Sequence, residues 1–275
     1  MAAVKTGPSV NEVKAANAFS KQSVVFDELY SADRIIQYKR VRVRTHVQQY
    51  AKPGGRILEL NAGTGEDAIY FAKKGYRVHA TDISIGMQTV LKQKVNQVNL
   101  SEMITTETCS FTALETLIDK GPYNHIFSNF AGLNCTDRLD KVLSSFSPLL
   151  TKDGVVTLVI LPEFCLWEFA LLLKGKWKTA LRRFAGKKGA SSHIEGEYFT
   201  CWYYNPSYVK KQLGDAFEVL SVEGLCTLVP PSYIEGFGEK YPRLFRMLCR
   251  IENRWKSTWP WRFIGDYYII SLRKK

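Results

Sequence analysis

Arg56–Asp82, RILELNAGTGEDAIYFAKKGYRVHATD, is the stretch from which the fold is read. Its first apolar run, Ile57-Leu58-Glu59-Leu60, has the length of a strand, and Ala62-Gly63-Thr64-Gly65 then turns the chain. A helix-patterned segment follows, and a second apolar strand ends on the acid Asp82. Together they make one β-loop-α-β unit of a nucleotide-binding fold. Glycine lets the backbone turn sharply and approach a ligand closely. The helix N-terminus offers free N–H donors, and an acid at the second strand's tip can accept from both hydroxyls of a ribose.

Two kinds of ligand compete for this unit. Gly63-x-Gly65-x-x-Ala68 satisfies the dinucleotide pattern G-x-G-x-x-G/A, with Asp82 near the expected distance. Glu59 tips the balance. A carboxylate at the strand end repels a pyrophosphate and attracts an ammonium. With Asn61-Ala62-Gly63-Thr64-Gly65 after that acid, the stretch resembles motif I of the class I S-adenosylmethionine-dependent methyltransferases. The motif is an acid at the strand end followed by G-x-G-x-G. Asn61 stands where the family usually has its first glycine, and asparagine tolerates positive φ better than most residues. The resemblance implies S-adenosylmethionine as cofactor. Glu59, Asn61, Ala62, Gly63 and Gly65 would form its loop, Asp82 would hold the ribose, and Ile83 and Met87 would lie against it.

The resemblance covers most of residues 20–161. Tyr123–Cys135, YNHIFSNFAGLNC, resembles motif IV, which places Asn129 and Phe130 at a strand tip beside the donor methyl. VVFDELY at 24–30 resembles the family's N-terminal cap, in which an aromatic, here Tyr30, covers the cofactor. After strand three the family commonly has an acid for the adenine amino group. Cys109-Ser110-Phe111 stands there instead, so Ser110, backbone groups and the Phe111 ring take the adenine end. SNFA replaces the Asp/Asn-Pro-Pro-Tyr/Phe signature of amino-methylating nucleic-acid enzymes, so a nucleic-acid substrate is not expected.

Composition sets the outer bounds. A chain of 275 residues that is 45% hydrophobic can bury a full core. The six cysteines are scattered without a C-x-x-C pair, which suits thiols in a reducing cytoplasm and argues against a metal site. The N-terminus has no apolar signal region, and Val155–Leu173, broken by Pro162, Glu163 and Glu168, parses as strand then helix rather than a membrane span. Cytoplasmic residence is the expectation. Charge is uneven: residues 1–150 hold 18 Lys+Arg against 14 Asp+Glu, residues 151–275 hold 20 against 12, and all six tryptophans fall in the second half.

Read along the chain, the order alternates. A helix is expected over Phe26–Tyr50, then strands at Ile57–Leu60, Arg77–Thr81, Ile104–Cys109, His125–Phe130, Val155–Leu161, Phe217–Cys226 and Asp266–Leu272. Further helices are expected at Ser84–Asn96, Asp137–Leu150 and Pro206–Leu213. The expected fold is one α/β domain: a Rossmann-like, seven-stranded, mostly parallel sheet with helices on both faces and an antiparallel last strand. Residues 1–52 form its helical cap and 53–161 the cofactor core. Residues 162–205 and 227–265 are excursions over the carboxyl ends of the strands, where such sheets bind ligands.

Methyl transfer from a sulfonium is an in-line displacement in which alignment matters most. A base is needed only for some acceptors, and among four histidines His193, near Glu195, Glu197 and Trp202, is the candidate. The expected activity is methylation of a small-molecule acceptor, aromatic or amphipathic. The alternatives are a nicotinamide-dependent oxidoreductase, or a protein that binds the cofactor without turnover. The run Lys174–Lys188 holds seven Lys/Arg and no acid, with Trp177, Leu181 and Phe184 on one helical face. It suggests peripheral membrane contact through residues 164–188.

Overall fold

The computed structural model describes residues 7–275. Three helices precede the first strand: α1 (Val10–Gln22), α2 (Phe26–Ser31) and α3 (Arg34–Tyr50). The single helix expected over Phe26–Tyr50 is two, because Asp33 starts a new one. Its Oδ1 accepts from the amides of Ile35 and Ile36 at 2.7 and 2.9 Å, satisfying donors that a helix start leaves free.

The core then alternates through β1 (Arg56–Leu60), α4 (Glu66–Lys73), β2 (Arg77–Asp82), α5 (Ile85–Gln97), β3 (Ile104–Thr108) and β4 (Tyr123–Ser128). Two short helices, α6 (Leu139–Ser144) and α7 (Phe146–Leu149), replace the one expected over Asp137–Leu150, and β5 (Leu150–Ile160) follows. The first excursion holds α8 (Leu166–Phe169), α9 (Trp177–Leu181) and a hairpin of β6 (Ala190–Ile194) and β7 (Glu197–Cys201). Next come α10 (Pro206–Leu213) and β8 (Phe217–Leu225). The second excursion carries α11 (Phe237–Lys240) and α12 (Pro242–Trp255), and β9 (Tyr267–Lys274) ends the chain. The helix expected across Lys174–Lys188 stops at Leu181 and continues only as 3₁₀ turns, interrupted where Gly186 takes φ +57°.

The seven-stranded sheet runs β3-β2-β1-β4-β5-β9-β8. β1 pairs parallel to β2 and β4, and β9 lies antiparallel between β5 and β8. Alternate strand residues feed two cores, as a pleated sheet requires. On one face Ile57, Phe127, Val159 and Ile269 meet Val43 and Val47 of α3, Phe71 of α4 and Leu91 of α5. On the other, Leu58, Ile126, Leu158 and Ile270 meet Leu139 of α6 and Val209 of α10. The order reverses between β1 and β4, and a ligand crevice belongs at the carboxyl ends of those strands.

Candidate active site

A cavity opens at that reversal, where the tips of β1, β2 and β4 meet α1 and α2. Of the residues singled out from sequence, Glu59, Asn61, Ala62, Gly63, Asp82, Ile83, Met87, Phe111, Asn129 and Phe130 line it. The geometry of the loops explains how. Asn61 adopts φ +47° in place of a glycine, and its side chain then ties two strand tips together. Its Nδ2 donates to the Asn129 carbonyl at 2.8 Å, while its Oδ1 accepts from Ser128 Oγ at 2.6 Å. Phe130 and Ala131 follow in the left-handed region at φ +46° and +62°. Two such residues in succession, neither of them glycine, cost on the order of 1–2 kcal/mol each and persist only where neighbours hold them. Asn129 supplies part of that hold, accepting from the Phe130 amide at 2.8 Å and donating to Asp67 Oδ2 at 2.6 Å.

Asp82 holds the other side of the loop. Its Oδ2 accepts from the Gly63 amide at 2.9 Å and its Oδ1 from the Ser84 amide at 2.8 Å. Burial raises its pKa, and these two amides only partly offset the effect. Glu59 is the extreme case. It is 2% exposed, and its Oε2 has no hydrogen-bond partner. Burial, then repulsion from Asp67 and Asp82, push its carboxyl well above the usual carboxylate range against the pull of Arg44. The cavity wall therefore gathers Glu59, Asp67 and Asp82, of which Glu59 holds its proton more tightly than an ordinary carboxyl.

α1 and α2 close the top. Glu12 of α1 lines the cavity and accepts from Ser110 Oγ at 2.7 Å, Thr112 Oγ1 at 2.6 Å, Thr136 Oγ1 at 3.0 Å and Arg138 at 3.3 Å. Burial opposes its ionisation, yet these donors outweigh burial and lower its pKa. Ala15, Ala16 and Phe19 of α1 also line the cavity. α2 has no buried residue and is anchored by Asp27, which accepts from Thr64 Oγ1 and Lys94 Nζ, both at 2.6 Å.

Four of the sequence-assigned residues do not line the cavity. The aromatic of the cap that does so is Phe26, and Tyr30 packs edge-on against it with ring centroids 4.7 Å apart. Gly65 starts α4 at φ +80°, and a Cβ there would meet Leu91 at 2.7 Å rather than a ligand. Ser110 stands behind the wall, holding Glu12. His193 is exposed on β6, its ring against Tyr198 at 4.4 Å, so the structure keeps it away from the cavity. It sits on the solvent face of a hairpin whose other face, through Phe199, packs on α1. Among the described residues no histidine lines the cavity. His46 and His125 are buried within the sheet region, bonded to Ser271 and Thr157 at 2.9 Å each. Sequence reading missed Glu12, Arg40, Asp67, Gly132 and Cys135 as lining residues. Asp67, with its neighbour Glu66, which also lines the cavity, was open to detection, since both acids lie in the first turn of α4.

Elsewhere Cys165, Glu168 and Asp266 converge with ligand atoms within 4.8 Å. Arg183 bonds both carboxylates at 2.6 Å and Arg182 adds another to Glu168, so ion pairing accounts for the cluster.

The strand order, the acid-lined crevice at the β1–β4 reversal and the capping helices define a class I S-adenosylmethionine-dependent methyltransferase architecture. The comparisons agree. Residues 57–154 match the family described as "Methyltransferase domain". No curated protein matches the sequence. Among solved structures, the CcbJ methyltransferase from Streptomyces caelestis is similar at 15% identity and TM-score 0.61, covering 94% of this chain and 97% of that one. A 1,6-didemethyltoxoflavin-N1-methyltransferase from Burkholderia thailandensis, solved with 1,6-didemethyltoxoflavin and S-adenosylhomocysteine, is similar at 12% identity and TM-score 0.57, covering 99% and 93%. A (4+2)-cyclase, SpnF, is similar at 13% identity and TM-score 0.60, covering 98% of each chain. At these identities the likeness speaks for the fold.

Proposed function

We propose that this methyltransferase moves the methyl group of S-adenosylmethionine to a small aromatic or amphipathic acceptor. The observation that carries the reading is the unpartnered Glu59 carboxyl oxygen within the acidic wall it shares with Asp67 and Asp82. A buried carboxyl without a partner resists ionisation, and a ligand's ammonium would offset that cost. The same residues repel a pyrophosphate, which disfavours the oxidoreductase alternative.

The residue roles follow from position. Glu59 takes the ammonium and Asp82 the ribose hydroxyls, while Gly63 leaves room for close approach, with nothing within 4 Å of where its Cβ would be. Ile83, Met87 and Phe111 pack the adenosine side, and Phe26 lies over it from α2. When bound, the sulfonium supplies an electrophilic methyl group. Asn129 and Phe130, fixed in their strained turn, then set where the acceptor meets it. The Phe130 ring is backed by the buried Lys39 ammonium, 5.2 Å from its centroid and 4.9 Å from that of Tyr267. A rigid aromatic floor of this kind suits a flat acceptor. The similar Burkholderia structure holds 1,6-didemethyltoxoflavin together with S-adenosylhomocysteine.

The test has two arms. Calorimetry should show S-adenosylhomocysteine binding and no NAD binding. Extracts incubated with isotope-labelled S-adenosylmethionine should then yield a labelled small molecule by mass spectrometry. Binding of NAD alone would favour the oxidoreductase, and cofactor binding without any labelled product would favour a non-catalytic protein.

A further inference from the structure

The second excursion carries a feature that the cavity does not use. α12 has three distinct faces. Inward, Phe245 joins Ile35, Cys226 and Val229, and Glu252 accepts from the amides of residues 226–229, each at 2.9 Å. Tyr38 and Arg42 also donate to Glu252, so this face is satisfied within the fold. Outward, Leu244, Met247, Ile251 and Trp255 recur at helical spacing and remain 41%, 49%, 37% and 45% exposed. Arg243, Arg246, Arg250 and Arg254, each one position earlier, form an exposed cationic border along that stripe. The only acid of the helix is the buried Glu252.

Water is a poor solvent for such a stripe, and monomeric proteins rarely keep one without a purpose. The aromatic content extends it. Trp259 is 77% exposed just past the helix, and Trp261 packs edge-on against Trp255 at 6.4 Å. The first excursion adjoins this region, with the Leu166 amide bonded to the Ile264 carbonyl at 3.0 Å and Trp167 Nε1 to the Thr227 carbonyl at 3.1 Å. Further along, that excursion has exposed apolar residues of its own, Leu173 at 92%, then Trp177 at 62% and Phe184 at 53% within the acid-free basic run Lys174–Lys188.

We propose that α12, with the exposed Trp259 just past its end, is a docking surface for an anionic lipid bilayer. Charge complementarity selects the occupant. Arginines bordering an apolar stripe pair with anionic headgroups while Leu244, Met247 and Ile251 enter the acyl boundary and tryptophans settle at headgroup level. A nucleic acid would use the arginines and leave the aliphatic stripe in water. An uncharged apolar partner would leave the arginines without a counterpart.

The experiment uses the full chain with S-adenosylhomocysteine and sedimentation with phosphatidylcholine vesicles, with or without phosphatidylglycerol, at low and high salt. Binding to the phosphatidylglycerol vesicles is expected, weakened about tenfold or more by high salt as surface charges are screened. Met247→Glu with Ile251→Glu should lower that binding at least about tenfold. Arg246→Glu with Arg250→Glu should erase the preference for anionic vesicles. Both pairs lie outside the cavity, so S-adenosylhomocysteine affinity and melting temperature should stay near wild type, which separates this surface from the methyltransferase reading. Failure to bind anionic vesicles at low salt overturns the proposal. So does a salt-insensitive self-association, lost in the Met247/Ile251 variant, that occurs without lipid.

Discussion

Glu59→Gln tests the acidic wall most directly, because it removes the carboxyl that would ionise against a bound ammonium with almost no change of shape. Glu59 is 2% exposed with one oxygen unpartnered, and burial together with Asp67 and Asp82 raises its pKa. A hydrogen bond to a charged group contributes about 1.5–3 kcal/mol, and the glutamine oxygen keeps the neutral share. Affinity for S-adenosylhomocysteine, which retains the ammonium, should therefore fall by about 1–1.5 kcal/mol, or roughly five- to tenfold. Two further readouts mark the mechanism. Wild-type affinity should rise with pH toward the raised pKa of Glu59, since the ammonium binds the ionised form and displaces its proton. Calorimetry in buffers of different ionisation enthalpy should detect that proton, and in the glutamine variant the Glu59 contribution should vanish. The raised pKa also means that the folded state keeps a proton the unfolded chain has released. Glu59 therefore subtracts stability as pH rises above its unfolded value, and the variant should melt no lower than wild type at pH 7. Unchanged affinity, or a variant that loses stability and binding together, would refute an ammonium site at Glu59.

Asp82→Ala should cost about 1.5–3 kcal/mol of cofactor affinity, and thermal melting should report the loosening of the Gly63 and Ser84 amides it now holds; an unaltered calorimetric affinity would remove Asp82 from the site. Gly63→Val places a β-branched residue at φ +56° with open space around it, so the variant should fold with a lowered melting temperature and fail to bind S-adenosylhomocysteine. Normal binding by a folded variant would mean that the cofactor lies elsewhere. Acid should destabilise the protein early. Burial, then the neighbouring His46, depresses His125 to about 3, while His46 and Lys256 hold Glu223 at about 2 against its burial. Both depressed groups contribute stability at neutral pH that is lost on acidification. His125, whose unfolded value is about 6.5, should alone remove about 2 kcal/mol between pH 7 and pH 5. Urea unfolding of the Glu59→Gln variant, which lacks the opposite contribution of Glu59, checks this at the two pH values, and equal stabilities would contradict a neutral buried His125.

Sequence alone located the sheet because its strands are short apolar runs punctuated by glycine and acids, and buried parallel strands are legible in that form. The left-handed Asn61 was anticipated from asparagine's tolerance, and the structure adds what its side chain does, joining two strand tips. Helix boundaries were less secure. Asp33 in Ser-Ala-Asp-Arg is an N-cap signal, overridden in reading by the apolar spacing on either side. Glu12 was beyond reach: its partners Ser110, Thr112 and Thr136 lie about a hundred positions along the chain, and the buried side of α1 is mostly alanine, which leaves little periodic signal. The hairpin Ala190–Cys201 was legible but unread, since Glu195-Gly196, both at positive φ, is a tight hairpin turn between two alternating segments. Missing it turned His193 from a residue on the open face of a ribbon into a candidate base.

The way α2 is fastened has a kinetic corollary. Phe26 covers the cavity from a helix that buries nothing, held chiefly through one carboxylate shared between a threonine hydroxyl and a lysine. Opening that cover breaks a partly solvated ion pair and disturbs none of the sheet's apolar contacts. Ligand exchange should then quicken with ionic strength while global unfolding barely responds. The traffic of cofactor in and product out would be timed by Asp27 and Lys94, two residues that take no part in the chemistry.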